Sequence, residues 1–248
     1  MTFDKNIWIF WEQGWDNAPN ICKLCKESWI KFNETWKINI LDKNNINKYI
    51  NLDLVNEDFW NISPIQVRAD IIRTLLLKFY GGVWVDATLI CMLPLDNWLF
   101  KYFEIQNKED FFLFTFKRKY LISNWFMVSH KNNYIINTFT NNFLIYFKFK
   151  LEAENYFQFY YVFQSLLKED EIFSKYFFKN KKLSSEKAKI FEKLKYDENT
   201  KNLFIKLKIN NSPVYKLTHK LDMNFQEETN LFNLFKFINI NIKNYIKN

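Results

Sequence analysis

Cysteine, histidine, arginine, glycine and proline are all scarce in this chain of 248 residues, which has Cys 3, His 2, Gly 3 and Pro 4, with arginine only at positions 68, 73 and 118. Cys22, Cys25 and Cys91 cannot make a disulfide framework, and the lone C-x-x-C of Cys22 and Cys25 has no second pair to complete a four-ligand zinc site. That pair reads as two small residues on a helix. Arginine, the usual reader of base edges, is almost absent, and neither a run of five like charges nor a zinc-finger or RNA-recognition signature occurs. Nucleic-acid binding is therefore not expected despite a net charge of +8, which equally suits a small anionic substrate such as a nucleotide. No uninterrupted apolar run approaches the roughly 20 residues that a membrane span requires, and no signal-peptide pattern precedes the first apolar segment. The chain reads as cytosolic and reduced.

What is abundant is Lys, Asn, Ile and the aromatics, with Phe 28, Tyr 13 and Trp 9. That skew, away from Gly, Pro, Ala and Arg, is what A/T-rich coding produces, so each lysine carries little information and the scarce residues carry more. A hydrophobic fraction of 48% excludes wholesale disorder and allows a sizeable core.

Asn6 to Trp11 is a nearly continuous apolar run, the pattern of a strand buried on both faces. Asn20 to Phe32 has helical spacing, and Trp36 to Leu41 alternates as a second strand. Strand, helix, strand predicts an α/β domain with a right-handed crossover and a ligand site at the carboxyl ends of its strands. Ser63-Pro64 reads as a helix start, with Ser as N-cap and Pro at the first helical position. The apolar stripe of Ile65, Ala69, Ile72, Leu75, Leu76 and Phe79 follows. Gly81-Gly82 ends that helix, and Val83 to Val85 begins a strand stopping at Asp86.

Further strands are expected at 111–116, 124–129 and 203–209, helices at 134–150, 155–168 and 184–194, and a loop or short strand at 213–222. The segment 173–182 is ambiguous. From 229 to 248, Leu231, Leu234, Phe235, Ile238, Ile242 and Tyr245 share a helical face flanked by lysines, which could pack on the core or lie on an anionic membrane. No repeat or linker divides the chain, so 1–248 is read as one domain.

Two of the three glycines and two of the three arginines fall between Arg68 and Gly82, just ahead of Asp86. Asp70 and Arg73, three apart on one helix, face the same way at the edge of the apolar stripe and can reach a groove. Gly81 and Gly82 let the backbone turn sharply and approach a ligand. Asp86 stands where open α/β sheets bind ligands, and a carboxylate there suits Mg²⁺ or Mn²⁺, with Arg73 neutralising phosphate. Equally, Asp70 and Arg73 could form a surface pair while Asp86 caps a turn.

The run from Arg68 to Thr88, R-A-D-I-I-R-T-L-L-L-K-F-Y-G-G-V-W-V-D-A-T, resembles the core motif of glycosyltransferases related to yeast initiation mannosyltransferases and clostridial glucosylating toxins. It is more similar to the capsular polysaccharide synthesis protein family. Ile7 to Trp11, Ser123 to Ser129 and Ser212 to Lys220 support the likeness, which is dense at 63–98 and thin from 131 to 210.

The resemblance implies a GT-A-type fold, a nucleotide-binding mixed sheet flanked by helices with a helix-rich C-terminal half. The donor would bind in about 1–128 and the acceptor in about 129–248. By the same likeness Trp8, or else Trp11, would stack on the donor base, Asp70 and Arg73 would contact donor sugar and diphosphate, and Asp86 would open the D-x-D metal motif. Position 88 is Thr, so the motif reads D-A-T, and dependence on Mn²⁺ or Mg²⁺ is open. His219 is a candidate third metal ligand and Lys216 and Lys220 candidate phosphate contacts, against the alternative of solvated side chains. The implied activity is sugar transfer from a nucleotide-sugar donor to a glycan or lipid-linked acceptor in bacterial capsule or surface polysaccharide synthesis. The implied setting is the cytoplasm, with possible peripheral contact at the inner face of its membrane. The alternative is a nucleotide-sugar or glycan binding protein without turnover.

Overall fold

A computed structural model describes residues 3–116, 122–148, 157–192, 211–219, 235, 236 and 238. The apolar runs form a six-stranded mixed sheet. Its strands are β1 (Asn6–Phe10), β2 (Lys37–Leu41), β3 (Gly82–Asp86), β5 (Phe111–Thr115), β6 (Ile122–Ser129) and β7 (Leu183–Ser184), in the order β2-β1-β3-β6-β5-β7. β1 lies parallel to both β2 and β3, β6 runs antiparallel to β3 and β5, and β7 is parallel to β5. The crossover from β1 to β2 is helix α1 (Asn20–Phe32), as the strand, helix, strand pattern predicts.

Alternation along the strands sorts side chains to two faces because successive Cβ atoms point oppositely. Ile7 and Ile9 of β1, Val83 and Val85 of β3, and Phe112 and Phe114 of β5 enter one core with Ile21, Leu24, Cys25 and Trp29 of α1. Trp8, Phe10, Trp84, Phe111 and Leu113 enter the other core. There they meet α3 (Ile65–Tyr80), α5 (Tyr134–Lys148), α6 (Gln158–Glu169) and α7 (Glu171–Lys179). The ambiguous stretch at 173–182 thus belongs largely to α7, whose Phe173 and Phe177 are buried. Cys22 and Cys25 are buried residues of α1, and all three cysteines are free thiols.

A second, two-stranded antiparallel sheet pairs β4 (Leu89–Cys91) with β8 (Val214–Lys216), in the register Leu89↔Lys216, Ile90↔Tyr215 and Cys91↔Val214. Between them in sequence, α4 (Leu95–Trp98) packs Leu95 and Trp98 into the first core. The Leu217 amide donates to the Thr88 carbonyl at 2.9 Å and extends this join to the end of β3.

Several expectations are corrected. Ser63 does not begin α3: it closes the short helix α2 (Glu57–Ile62), its hydroxyl donating to the Phe59 carbonyl at 2.6 Å. Pro64 takes the N-cap position instead. In place of the helix expected at 184–194, the described residues to 192 form the end of β7, turns and a 3₁₀ turn at Ile190–Glu192. The strand expected at 203–209 lies outside the described residues, as does most of the stripe at 229–248. Of that stripe Phe235 and Ile238 are described, and both are buried in the first core. Among the described residues no helix is long and apolar enough to cross a membrane.

Gly81 and Gly82 have φ of 66° and 94°, in the region that favours glycine. A Cβ on Gly82 would stand 2.5 Å from the Asn6 carbonyl oxygen, and one on Gly81 would stand 2.6 Å from the Lys131 amide nitrogen. The pair therefore closes the joint between α3, β1 and the end of β6, at the amino end of β3 and away from Asp86.

Candidate active site

At the carboxyl ends of β1 and β3 lies a cavity of about 600 Å³, bordered by Trp11, the α3 residues Asp70 and Arg73, Asp86, Thr88, and the β8 segment Lys216 to His219. It opens on the edge where a parallel α/β sheet leaves backbone ends and loops free to converge.

Asp86 is the hub. Its Oδ1 accepts from Arg73 Nη2 at 2.9 Å and from Trp84 Nε1 at 3.0 Å, and its Oδ2 accepts from Lys216 Nζ at 2.7 Å. Burial would raise its carboxyl, but Lys216 and Arg73, with hydrogen bonds from Lys216 and Trp84, outweigh burial and hold it at about 2. Asp86 is an anion throughout the working range.

Asp70 has the opposite balance. Burial pushes it up to about 7, against the pull of Arg73; the nearby Asp86 adds to the rise, and a hydrogen bond from Asn124 opposes it. That bond, Asn124 Nδ2 to Asp70 Oδ1, is 2.9 Å long, and Asn124 Oδ1 accepts from Tyr160 Oη at 2.8 Å. Arg73 stands between the two carboxylates. Its Nη1 lies 2.6 Å from Asp70 Oδ1 as an ion pair that lacks hydrogen-bond alignment, and its Nε has no hydrogen-bond partner among the described residues. The guanidinium also sits 5.1 Å from the ring centre of Trp84 and 5.9 Å from that of Phe159, within cation–π range of both.

The reading of Asp70 and Arg73 as a surface pair is thereby overturned: they are 7% and 5% exposed. Asn124 of β6 lies on Asp70, and Trp84 of β3 and Phe159 of α6 lie beside Arg73, so residues at the margin of the apolar stripe are enclosed as well.

Of the residues singled out from sequence, Trp11, Asp70, Arg73, Asp86, Thr88, Lys216 and His219 border the one cavity. Trp8 does not. It is buried in the second core, donating from Nε1 to the Gly81 carbonyl at 2.8 Å and packing on Tyr49 and Tyr80. It pairs with Trp84, two residues short of the strand end where Phe10 pairs with Asp86, so of the two tryptophans proposed for the donor base only Trp11 borders the cavity. The Trp11 Nε1 is buried without a hydrogen-bond partner among the described residues, and its ring lies 6.2 Å from that of the exposed His219. Gly81 and Gly82 belong to the joint described above, and Lys220 lies outside the described residues.

Of the candidate metal ligands Asp86, Thr88 and His219, the first two are engaged by a lysine. Mg²⁺ and Mn²⁺ need free oxygen ligands, yet Asp86 Oδ2 and Thr88 Oγ1 each accept from Lys216 Nζ at 2.7 Å. Among the described residues no three His, Cys, Asp or Glu side chains converge on one point. The residues present fit an ammonium group, not a divalent cation.

Sequence reasoning missed Asn124, Tyr160, Trp84 and the β1-end anchor of Glu12 on Arg68. That anchor is a two-pronged bond, 2.7 Å from Arg68 Nε and 2.9 Å from Nη2. The scarcity of arginine was the one available signal, because two of the three arginines fix this site.

Residues 2–235 match the family described as capsular polysaccharide synthesis protein. Glycosyltransferase afumC of Aspergillus fumigatus is 30% identical over 103 residues, covering 37% of this chain and 26% of its own length. An initiation-specific alpha-1,6-mannosyltransferase of Candida albicans is 29% identical over 113 residues, covering 39% of this chain and 27% of its own length. The chain spans about a quarter of the length of the curated relatives it matches. Among solved structures, the apo-form glycosyltransferase GlyE of Streptococcus pneumoniae TIGR4 superposes with a TM-score of 0.55 at 9% identity, over 95% of this chain and 60% of that chain. The likeness is one of fold, and the α/β architecture of GT-A type read from the sequence stands.

Proposed function

Because the chain belongs to the capsular polysaccharide synthesis protein family, we propose that it transfers a sugar from a nucleotide-sugar donor to a hydroxyl of a glycan or lipid-linked acceptor. The observation that carries this reading is the pairing of two cations, Arg73 and Lys216, on the single carboxylate of Asp86 in the strand-end cavity. With Asp70 protonated, the four groups carry one net positive charge, in a partly enclosed site where electrostatic attraction is strong. A diphosphate, as an anion, is drawn to that charge.

In the transfer, the acceptor oxygen bonds to the anomeric carbon while the bond from that carbon to the diphosphate oxygen breaks. The electron pair stays on the diphosphate, and the hydroxyl proton passes to it. Arg73 and Lys216 hold the developing negative charge, a preorganised stabilisation that costs no reorganisation at the moment of reaction. Trp11 takes the donor's base, and Asp70, held by Asn124, takes donor hydroxyls. The donor occupies the part formed by about 1–128, and the acceptor approaches from about 129–248, where Tyr160 of α6 stands at the rim. Surface polysaccharide assembly in the cytoplasm, at the inner face of its membrane when the acceptor is lipid-linked, is the setting that the family description favours.

A thermal-shift panel of UDP-, GDP-, ADP- and CMP-sugars tests the reading. One donor at a hundred times its Kd should stabilise the fold by about 2.7 kcal/mol. Slow release of free nucleotide then separates an enzyme from a binding protein. No stabilisation by any nucleotide or nucleotide sugar would overturn it.

A further inference from the structure

The D-A-T segment at the end of β3 ends in a hydroxyl, and the space between its two polar side chains is bridged by a lysine from a strand far away in sequence. Lys216 sits on β8, and its position is built. β8 pairs with β4 so that Leu89 faces Lys216. The Lys216 amide donates to the Ala188 carbonyl at 2.8 Å, and the next amide, of Leu217, donates to Thr88. This ladder sets the side chain beside β3. Its Nζ then donates to Asp86 Oδ2 and to Thr88 Oγ1, both at 2.7 Å. The side chain is 17% exposed, so the ammonium is held inside the site.

We propose that Lys216 is the resident cation of this site, taking the place of a divalent metal, and that the chain binds a nucleoside diphosphate without metal. The inference rests on the glycosyl-transfer reading and deepens it. Three arguments support it. First, an ammonium has three N–H donors, and two are directed at Asp86 and Thr88, leaving one for a phosphate oxygen. Second, Arg73 and Lys216 bind the two carboxylate oxygens of Asp86, one each, and together supply the two positive charges that a divalent ion would bring. Third, the hydroxyl of Thr88 is a poor ligand for a hard cation but a sound acceptor for an ammonium N–H, so the chemistry at position 88 matches the lysine. Lys216 acts as a fixed charge that touches the diphosphate.

The test measures binding of UDP, GDP and inorganic pyrophosphate by calorimetry, in EDTA and with Mn²⁺, together with Mn²⁺ paramagnetic resonance on the wild-type protein. The expected results are equal diphosphate affinity in EDTA and in Mn²⁺, and no stoichiometric Mn²⁺ signal at the protein. Lys216→Met, which keeps the apolar stem, should weaken binding in EDTA by about tenfold to a hundredfold, the usual worth of a charge-assisted hydrogen bond. Circular dichroism confirms that the variant is folded, and the wild-type comparison stands should it not be. Binding that requires Mn²⁺, a tightly bound Mn²⁺ in the wild type, or a folded Lys216→Met of unchanged affinity would each overturn the role of Lys216 and leave the transferase reading in place. Failure of every diphosphate to bind under either condition would overturn both.

Discussion

Arg73 stands between two carboxylates that titrate far apart, Asp86 at about 2 and Asp70 at about 7. The groups facing Asp70 are Arg73, Asp86 and Asn124. As pH rises through 7 Asp70 ionises and the site loses its net positive charge, so diphosphate affinity should fall between pH 6 and pH 8. Asp70→Asn should flatten that dependence, and an unchanged slope in the variant would contradict the assignment. Stability follows the same sign. The folded state binds the Asp70 proton between the ordinary value of 3.8 and about 7 while the unfolded chain does not, so this contribution is complete below 3.8 and is lost as pH rises to 7. Arg73 itself is 5% exposed, and removing it leaves two carboxylates without their shared partner. Arg73→Ala should therefore cost about 3–5 kcal/mol of stability in urea unfolding, and a loss below about 1 kcal/mol would show the pair to be solvated. Loss of turnover in that variant would consequently report fold as well as chemistry, which makes Asp86→Asn, of nearly the same shape, the cleaner probe.

At the scale of elements, α3, the Gly81-Gly82 joint and β3 were legible from residue spacing alone: a 3.6-residue stripe, two glycines, then an apolar run. The misplaced start is instructive. Ser63 looks like an N-cap from its neighbours, yet its hydroxyl closes α2, a helix of six residues, too short to show a periodic stripe. A short strand was one reading of 213–222, but the pairing of β8 with β4 was illegible for another reason. Each is three residues long, and the contact they create, Lys216 on Thr88, joins residues 128 apart in sequence. No local pattern encodes that, so Lys216 was a candidate by resemblance only, without a known neighbour. The glycine joint gives an element-scale prediction. Gly82→Ala forces a Cβ to 2.5 Å from the Asn6 oxygen at a φ of 94°, which should cost at least about 1–3 kcal/mol. In a chain of this size that is about 2–4 °C of Tm for each kcal/mol. Diphosphate affinity measured below Tm should be unchanged, because the joint is at the other end of β3. A variant of native Tm that no longer binds would instead give the glycines a ligand role.

On the scale of the whole molecule, the sheet separates two aromatic cores, and the site opens at the strand edge of the second. Alternation in β1 and β3 decides which side chains face α3. The strand ends decide which of those reach the cavity, so Trp11 replaces Trp8 at the opening. Tyr160 of α6 and Asn124 of β6 entered the site through a hydrogen bond between residues 36 apart, which no single segment announces. Family membership carries the fold and the reaction class as a proposal, and the residues above give that proposal its chemistry. The most direct test is release of free nucleotide from the donor that stabilises the fold, compared between the wild type and Asp86→Asn. Steady release by the wild type, with a drop of about a hundredfold in the folded variant, whose Arg73 and Lys216 have lost the carboxylate that positions them, is the expected result. Equal rates in the two proteins, or no release from any nucleotide sugar, would contradict glycosyl transfer at Asp86.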